Sequence, residues 1–486
     1  MTKIKIWNAY SRLETTDNVK IELAVRATSA KGVKLYSVKT YKGPLYTITF
    51  PAGLTRRVAK ACRVPGADIL DLRTKPAWDW FPERASWLRD YQREGIALVA
   101  QRTRVLLRAP TGSGKGEVVA GIAVAAPSAR ILILTPRATL VNDLRDRVER
   151  RAGRTVYALG TFPDPDQPCV QIATYSKAAQ MASGALGIKP KSRAKPTDGD
   201  NDLVVEPGEP TRDWREMTEE ERQATIALFN SFDTIICDEA HVVAASSYYR
   251  VIRLCNNAYY RIGLSATPTE RTDGKNLYII GAFSDIATLA EFDALIERKD
   301  ISDYAVEWTK VPPMERPDTI PKSFAAQYHV AIVANEIRNR LILRKAYVAP
   351  KPTIVFCERL DHAERLYTQW TEKVTSPAVY VTGEVSKAAR ESIIADAKSG
   401  KVEVIFATKV FAEGIDIPNL ASVVNAGGLK APIPLLQKIG RAMRVTESKD
   451  TFVLYDFEDS QPWLKRNWPK IHSAQRKAEL AKHHGK

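Results

Sequence analysis

Two adjacent carboxylates, Asp238 and Glu239, and a lysine behind a run of glycines, Lys115, are the residues best placed to do chemistry. Lys115 lies in LLRAPTGSGKG (106–116), after an apolar stretch at Val105–Leu107 and before a helical one at Glu117–Ala126. A glycine-rich turn between strand and helix points backbone N–H groups inward, and the helix start adds partial positive charge. Phosphate is the ligand such a turn fits. The expected cradle is Ala109, Pro110, Thr111, Gly112, Ser113, Gly114, Lys115 and Gly116, with Lys115 the point charge for the outer phosphates. The carboxylates end a second apolar strand, Thr234–Cys237, in CDEAH (237–241). Asp238 is expected to hold Mg²⁺, largely through water, and Glu239 to polarise a water for attack on the terminal phosphate. Together the strings imply an NTPase.

These groups need strands that end at one edge. From Trp87 onward apolar strands alternate with amphipathic helices, with strands expected at 105–109, 131–135, 170–174, 234–238 and 261–265. That is the pattern of a parallel α/β sheet with function at the strand C-terminal ends. A Pro-, Gly- and charge-rich insertion spans 183–216, after which Thr218 and Glu221 form a capping box. A second series is expected at 304–311, 353–357, 378–382, 403–408, 421–425 and 451–455, with helices at Ala331–Tyr347 and Asp361–Thr371. The fold class expected is α/β: two tandem parallel-sheet domains, 84–303 and 304–460, behind a small β-rich or α+β module at 1–83 and before a basic tail at 461–486.

The chain's 486 residues carry a net charge of +16. Residues 1–83 hold 15 Lys and Arg against 7 acids, and 461–486 hold 7 against 1, leaving +2 for the middle. A polyanion partner accounts for basic ends on a nearly neutral engine, and so does a solubilising surface. Expected N-terminal strands are Val19–Ala27, Lys34–Thr40 and Leu45–Phe50. Trp7, Tyr10, Tyr36, Tyr41 and Tyr46 are read as strand core rather than base-stacking platforms. Five cysteines without a CxxC pair suit a reduced cytoplasmic protein, and no apolar run reaches membrane-spanning length.

Further motifs follow in order: RDYQREGI (89–96), TPRATLVNDL (135–144), IATYSK (172–177), LSATP (264–268), TIVFCERLDHAERL (353–366), YVTGEV (380–385), ATKVFAEGIDIP (407–418) and QKIGRAMR (437–444). The whole series, over about residues 85–457, resembles the superfamily 2 helicases in a DEAH-box variant. ANEIRNRLI (334–342) looks especially like UvsW, RecG and XPB-like DNA helicases and restriction-enzyme motor subunits. The resemblance implies two RecA-like domains reading one ATP. Arg89 and Gln92 would read adenine, and Gly414 and Asp416 would touch nucleotide. Arg441 and Arg444 would supply the arginine finger, with Gln437 one turn earlier. Ser265, Thr267 and His241 would couple hydrolysis to movement; for His241 a packing role is the alternative. Pro136, Arg137, Thr174, Tyr175, Thr382, Gly383 and Thr408 would touch a nucleic-acid backbone without reading bases.

One departure stands out: the family has Ser or Thr where this chain has Gly116, and that hydroxyl binds Mg²⁺. A water can take the place, since Mg²⁺ commonly keeps several. The expectation is an active ATPase with weakened metal affinity. The expected activity is an ATP-dependent helicase or translocase on branched, forked or duplex DNA. DNA is favoured over RNA because the chain stops soon after the second motor domain and its basic module is N-terminal. The alternatives are a motor subunit of a restriction or defence complex and a weakly hydrolysing, ATP-gated nucleic-acid clamp. A phage or mobile-element source suits so compact a chain.

Overall fold

A computed structural model describes residues 3–15, 37–40, 46–110, 112–162, 164, 167–188, 217–269, 275–300, 303–382, 385, 387–408, 420–429 and 451–482. The chain divides into two compact units, Met1–Ala109 with Gly114–Leu289, and Pro110–Ser113 with Ala290–Lys486.

The first unit is built on seven parallel strands in the order β12-β6-β11-β10-β7-β9-β8. They are β6 (Arg104–Arg108), β7 (Ile131–Thr135), β8 (Val156–Ala158), β9 (Val170–Thr174), β10 (Thr234–Asp238), β11 (Tyr260–Ser265) and β12 (Ile286–Thr288). Leu106, Leu107, Leu132, Ile133, Ile235 and Ile236 are fully buried. Helices covering both sheet faces explain why these strands read as unbroken apolar runs. Parallel pairing brings Ala109, Thr135, Thr174, Asp238 and Ser265 to one edge, with β10 between β11 and β7. Edge strands β8 and β12, three residues each, had no counterpart in the expected set.

The N-terminal module is a mixed sheet ordered β3-β4-β2-β1-β5. Its strands are β1 (Lys3–Ile6), β2 (Tyr10–Thr15), β3 (Ser37–Thr40), β4 (Tyr46–Pro51) and β5 (Ile69–Asp71). The expected strand Val19–Ala27, and Tyr36 and Tyr41, lie outside the described residues. Ile4, Leu13, Ile48 and Phe50 form its core with Leu54 and Val58, and Leu277 and Ile280 of the motor sheet's flanking helix pack on it. Asn8 Nδ2 donates to the Asn257 carbonyl at 2.9 Å. A Cβ placed on Gly53 would lie 2.3 Å from the Ile280 carbonyl oxygen, so glycine alone permits this backbone approach. The module is therefore seated on the first motor sheet. Trp7 stacks on Tyr10 at 5.0 Å and Arg12 lies over Trp7, all half-buried.

The second unit has six parallel strands ordered β13-β18-β17-β14-β16-β15. They are β13 (Asp303–Lys310), β14 (Thr353–Cys357), β15 (Ala378–Val381), β16 (Val404–Thr408), β17 (Ser422–Asn425) and β18 (Thr451–Glu458). The helix expected from Ala331 begins at Glu336 because the Asn335 side chain accepts the Arg338 N–H and caps it. Arg338, fully buried, binds Asp459 at 2.7 Å and donates to the Ala426 carbonyl at 2.6 Å. Part of the expected basic tail folds as helix Trp468–Lys482. Its Arg476 is buried on Asp456 at 3.0 Å and donates to the Leu429 carbonyl at 3.0 Å. One face of that helix is core, with Arg476 and Trp468 turned inward, while Lys470 and Lys477 stay exposed on the other.

In the first unit the capping box closes as expected: Thr218 N–H donates to Glu221 Oε2 at 2.9 Å, and Glu221 N–H to Thr218 Oγ1 at 3.2 Å. Among the described residues no helix is long and apolar enough to cross a membrane.

Candidate active site

The phosphate turn is built by backbone conformation. Gly112 and Gly114 take left-handed φ values of 89° and 77°, which carry a steric cost for any other residue. Ser113 folds back on Pro110, its Oγ donating to the Pro110 carbonyl at 2.7 Å. Helix Lys115–Ala125 then starts from Gly114, whose carbonyl accepts the Glu117 N–H at 2.9 Å. A Cβ on Gly114 would lie 2.5 Å from Gln92 Nε2, so the Gln92 side chain reaches the turn. Gln92 is buried and its Oε1 accepts the Arg89 N–H at 3.1 Å. Thr111 lies outside the described residues.

The acidic pair sits where β10 leaves the sheet. Glu239 is left-handed, with φ 48° and ψ 50°. A non-glycine residue there typically costs about 1–3 kcal/mol and persists where surroundings over-determine it. Here they do. Glu239 Oε1 lies 3.8 Å from Lys115 Nζ and its Oε2 3.5 Å from His241 Nδ1. His241 Nδ1 is 3.1 Å from Ser265 Oγ, which accepts the Thr267 N–H at 3.2 Å. The Lys115 ammonium also lies 3.4 Å from the Ala109 carbonyl oxygen. Lysine, carboxylate, imidazole and hydroxyl thus form one continuous series from the phosphate turn to the end of β11.

This arrangement fits a nucleotide and a divalent cation. The left-handed glycine turn packs against Gln92 with no Cβ between them, the Lys115 ammonium stands beside it, and the Glu239 carboxylate faces that cation. Among the described residues no cluster of three or more His, Cys, Asp or Glu side chains could hold a metal alone. A cation at Asp238 would therefore take most of its ligands from the nucleotide and water.

Gly116 has a local explanation that the motif could not supply. A Cβ there would meet Arg147 Nε at 3.1 Å, and Arg147 Cδ and Leu144 Cδ2 at 3.4 Å. Arg147 is ion-paired to Glu117, which also binds Arg151 at 3.2 Å and accepts the Trp87 indole N–H at 2.9 Å. Burial pushes the Glu117 carboxyl up, but the Trp87 hydrogen bond and the two arginines outweigh it and hold it below the ordinary glutamate range. A side chain at 116 would press on Arg147, which must give by a few tenths of an ångström.

Of the expected nucleic-acid contacts, Pro136 and Arg137 follow Thr135, which pairs with Thr174 on the next strand. Thr174 caps helix Tyr175–Ala185, its hydroxyl accepting the Lys177 N–H at 3.2 Å. Tyr175 requires correction. Its side chain is fully buried, stacks on Tyr248 at 5.1 Å and donates its hydroxyl to the Asp238 carbonyl at 2.9 Å. No ring so enclosed can touch a nucleic-acid backbone. A motif gives a residue's place in a loop, not the face to which its side chain turns.

In the second unit the Val381–Ala407 pairing sets Thr382 and Thr408 at neighbouring strand ends. Gly383, Gly414, Asp416, Gln437, Arg441 and Arg444 lie outside the described residues.

Residues 86–270 match the family profile of the type III restriction enzyme res subunit, and 338–446 match the helicase conserved C-terminal domain. The ATP-dependent DNA helicase UvsW of Enterobacteria phage T4 is 24% identical over 380 residues, covering 76% of this chain and 68% of that protein. A Sulfolobus islandicus filamentous virus protein described as a helicase is 29% identical over 238 residues, covering 46% of this chain. This chain spans only 42% of the viral protein's length. The structure of the ATP-dependent type ISP restriction-modification enzyme LlaBIII bound to DNA is alike in fold, with a TM-score of 0.52 at 16% identity. That likeness covers 80% of this chain and 30% of the other.

Proposed function

We propose, from the premise that the chain belongs to the superfamily 2 helicases, that it is an ATP-dependent DNA helicase or translocase. The observation that carries this reading is the series Lys115–Glu239–His241–Ser265 running from the glycine turn to the next strand end. A phosphate held at the first member changes the charge felt at the last, which is what coupling of hydrolysis to movement requires.

In this reading Ala109–Gly116 cradle the phosphates and Lys115 neutralises their outer charge. Gln92 and Arg89 hold the adenine end. Glu239 orients and deprotonates the attacking water. Asp238 holds Mg²⁺, whose contribution when bound is to neutralise charge on the phosphates. His241 and Ser265 pass the change at Glu239 to Thr267. Arg441 and Arg444 serve as the arginine finger, an element typically worth about 10³–10⁵ in rate. Thr174, Pro136, Arg137, Thr382 and Thr408 hold the DNA backbone. Residues 1–83 add a basic DNA-binding surface, with Arg57 and Lys60 exposed on it. A cytoplasmic location belongs to the same reading.

A motor subunit of a restriction complex is the second reading, favoured by the profile match over 86–270 and the fold shared with LlaBIII. Strand displacement on forked DNA, compared with displacement of a triplex third strand from blunt duplex, tests both. Forked-strand displacement dependent on ATP supports the helicase; triplex displacement alone supports the translocating motor. Neither activity on DNA, with displacement on an RNA fork, refutes both.

A further inference from the structure

Tyr175 joins two places that the proposed function keeps separate. Its backbone begins the helix capped by Thr174, at the edge assigned to the DNA backbone. Its hydroxyl ends on the carbonyl of Asp238 at 2.9 Å. That carbonyl is a sensitive point. Pairing of β10 with β7 stops at Cys237 opposite Leu134, while β7 continues to pair Thr135 with Thr174 of β9. The Asp238 carbonyl stands at the end of β10 and takes the Tyr175 hydroxyl as a donor, and a buried carbonyl needs one. The next residue is the left-handed Glu239. A shift of the Asp238 peptide plane therefore turns directly into a change of direction for the Glu239 carboxylate. Stacking on Tyr248 fixes the Tyr175 ring, so the hydroxyl follows the helix start and not a free rotor.

We infer that Tyr175 is a positioning residue that transmits occupancy of the DNA-backbone edge at Thr174 to the acidic pair, through its hydrogen bond to the Asp238 carbonyl. The inference rests on the proposed function, because it needs a DNA-stimulated ATPase to act upon. DNA held at Thr174 and Pro136 seats the start of helix Tyr175–Ala185. The Tyr175 hydroxyl then seats Asp238, and the strained turn at Glu239 settles in the orientation that activates water.

The test is Tyr175→Phe in the full chain, which removes one oxygen and keeps the ring, with Tyr248→Phe as control for loss of a hydroxyl from the same ring pair. Steady-state ATPase with and without duplex DNA is measured beside fluorescence anisotropy of labelled duplex and thermal unfolding. The expected result is a DNA-stimulated kcat lower by about three- to tenfold, the worth of one hydrogen bond, at unchanged KM for ATP and DNA affinity, with a small fall in Tm because the Asp238 carbonyl loses a donor. The control should keep wild-type stimulation by DNA, since the Tyr248 hydroxyl meets Ser176 Oγ at 3.4 Å and not the Asp238 carbonyl. Stimulation of Tyr175→Phe equal to wild type overturns the inference. So does an equal fall in basal and DNA-stimulated kcat together with weakened DNA binding, which would mean that the tyrosine only packs. A wild-type enzyme that hydrolyses ATP without any response to DNA overturns the proposed function first, and this inference with it.

Discussion

Among the described residues, a sealed charged network in the second unit and a half-buried one in the first are built to opposite rules. In the second unit Arg338 meets Asp459 at 2.7 Å and Arg476 meets Asp456 at 3.0 Å, with side chains no more than 1% exposed. Spare guanidinium hydrogens there go to backbone carbonyls of Ala426, Leu429 and Phe457. In the first unit Lys115, Glu239 and His241 stand 3.5–3.8 Å apart, are 10–24% exposed, and depend on a strained backbone. The tight network fixes the backbone that leaves β17. Short, saturated and sealed marks architecture; longer, accessible and strained marks chemistry.

Substitutions that separate activity from stability are the sharpest way to break this contrast. Glu239→Gln should lower kcat by about 10²–10⁴, the usual worth of a general base, while leaving the denaturation midpoint near wild type. Arg338→Met should do the reverse, destabilising the chain by about 3–5 kcal/mol in chemical denaturation because Asp459 is left buried without its partner. If both variants lose activity and stability in the same proportion, the distinction fails.

The Gly116 cluster lies between these extremes and gives a smaller effect. Gly116→Thr supplies the hydroxyl the resemblance leads one to expect there, yet its Cβ would crowd Arg147 at 3.1 Å. The expected outcome is a loss of about 1–3 kcal/mol in stability, from overpacking. Arg147→Ala should relieve it, a coupling that a double-mutant cycle on unfolding free energies would read. Smallest of all is a pH effect. Glu117 titrates below the ordinary glutamate value of 4.5, so its stabilisation is present above that value and is lost as pH falls through the folded one. With its partners Arg147 and Arg151 partly exposed, the contribution is about 1 kcal/mol. Glu117→Gln should therefore be less stable than wild type at neutral pH, and the gap in Tm should close on acidification.

The same contrast explains what could be read from the sequence. Motor strands were legible because burial on both faces makes them apolar throughout, as in Ile131–Thr135 and Thr234–Asp238. The N-terminal strands Lys3–Ile6 and Tyr10–Thr15 were not, since lysine and arginine alternate with their core residues. The glycine turn and acidic pair were legible as strings, because phosphate chemistry dictates residue type at fixed spacing. The left-handed turn at Glu239 was not, because the need for it comes from Lys115 and His241, distant or offset in the chain. The buried side chains of Tyr175 and of Arg476 in the basic tail were not legible for one reason: each is polar at its tip, and a sequence shows polarity without showing which way it faces. Arg338 was legible only as part of a family-like string, while its task, holding Asp459 and Ala426, depends on residues about a hundred positions away.

The central claim is that the loose network hydrolyses ATP in answer to DNA, despite a glycine in place of the usual hydroxyl. Steady-state hydrolysis by the wild-type chain at saturating ATP and Mg²⁺, titrated with single-stranded, duplex and forked DNA, addresses it most directly. Turnover that rises with duplex or forked DNA is the predicted result. No hydrolysis above background with any of the three would contradict the account.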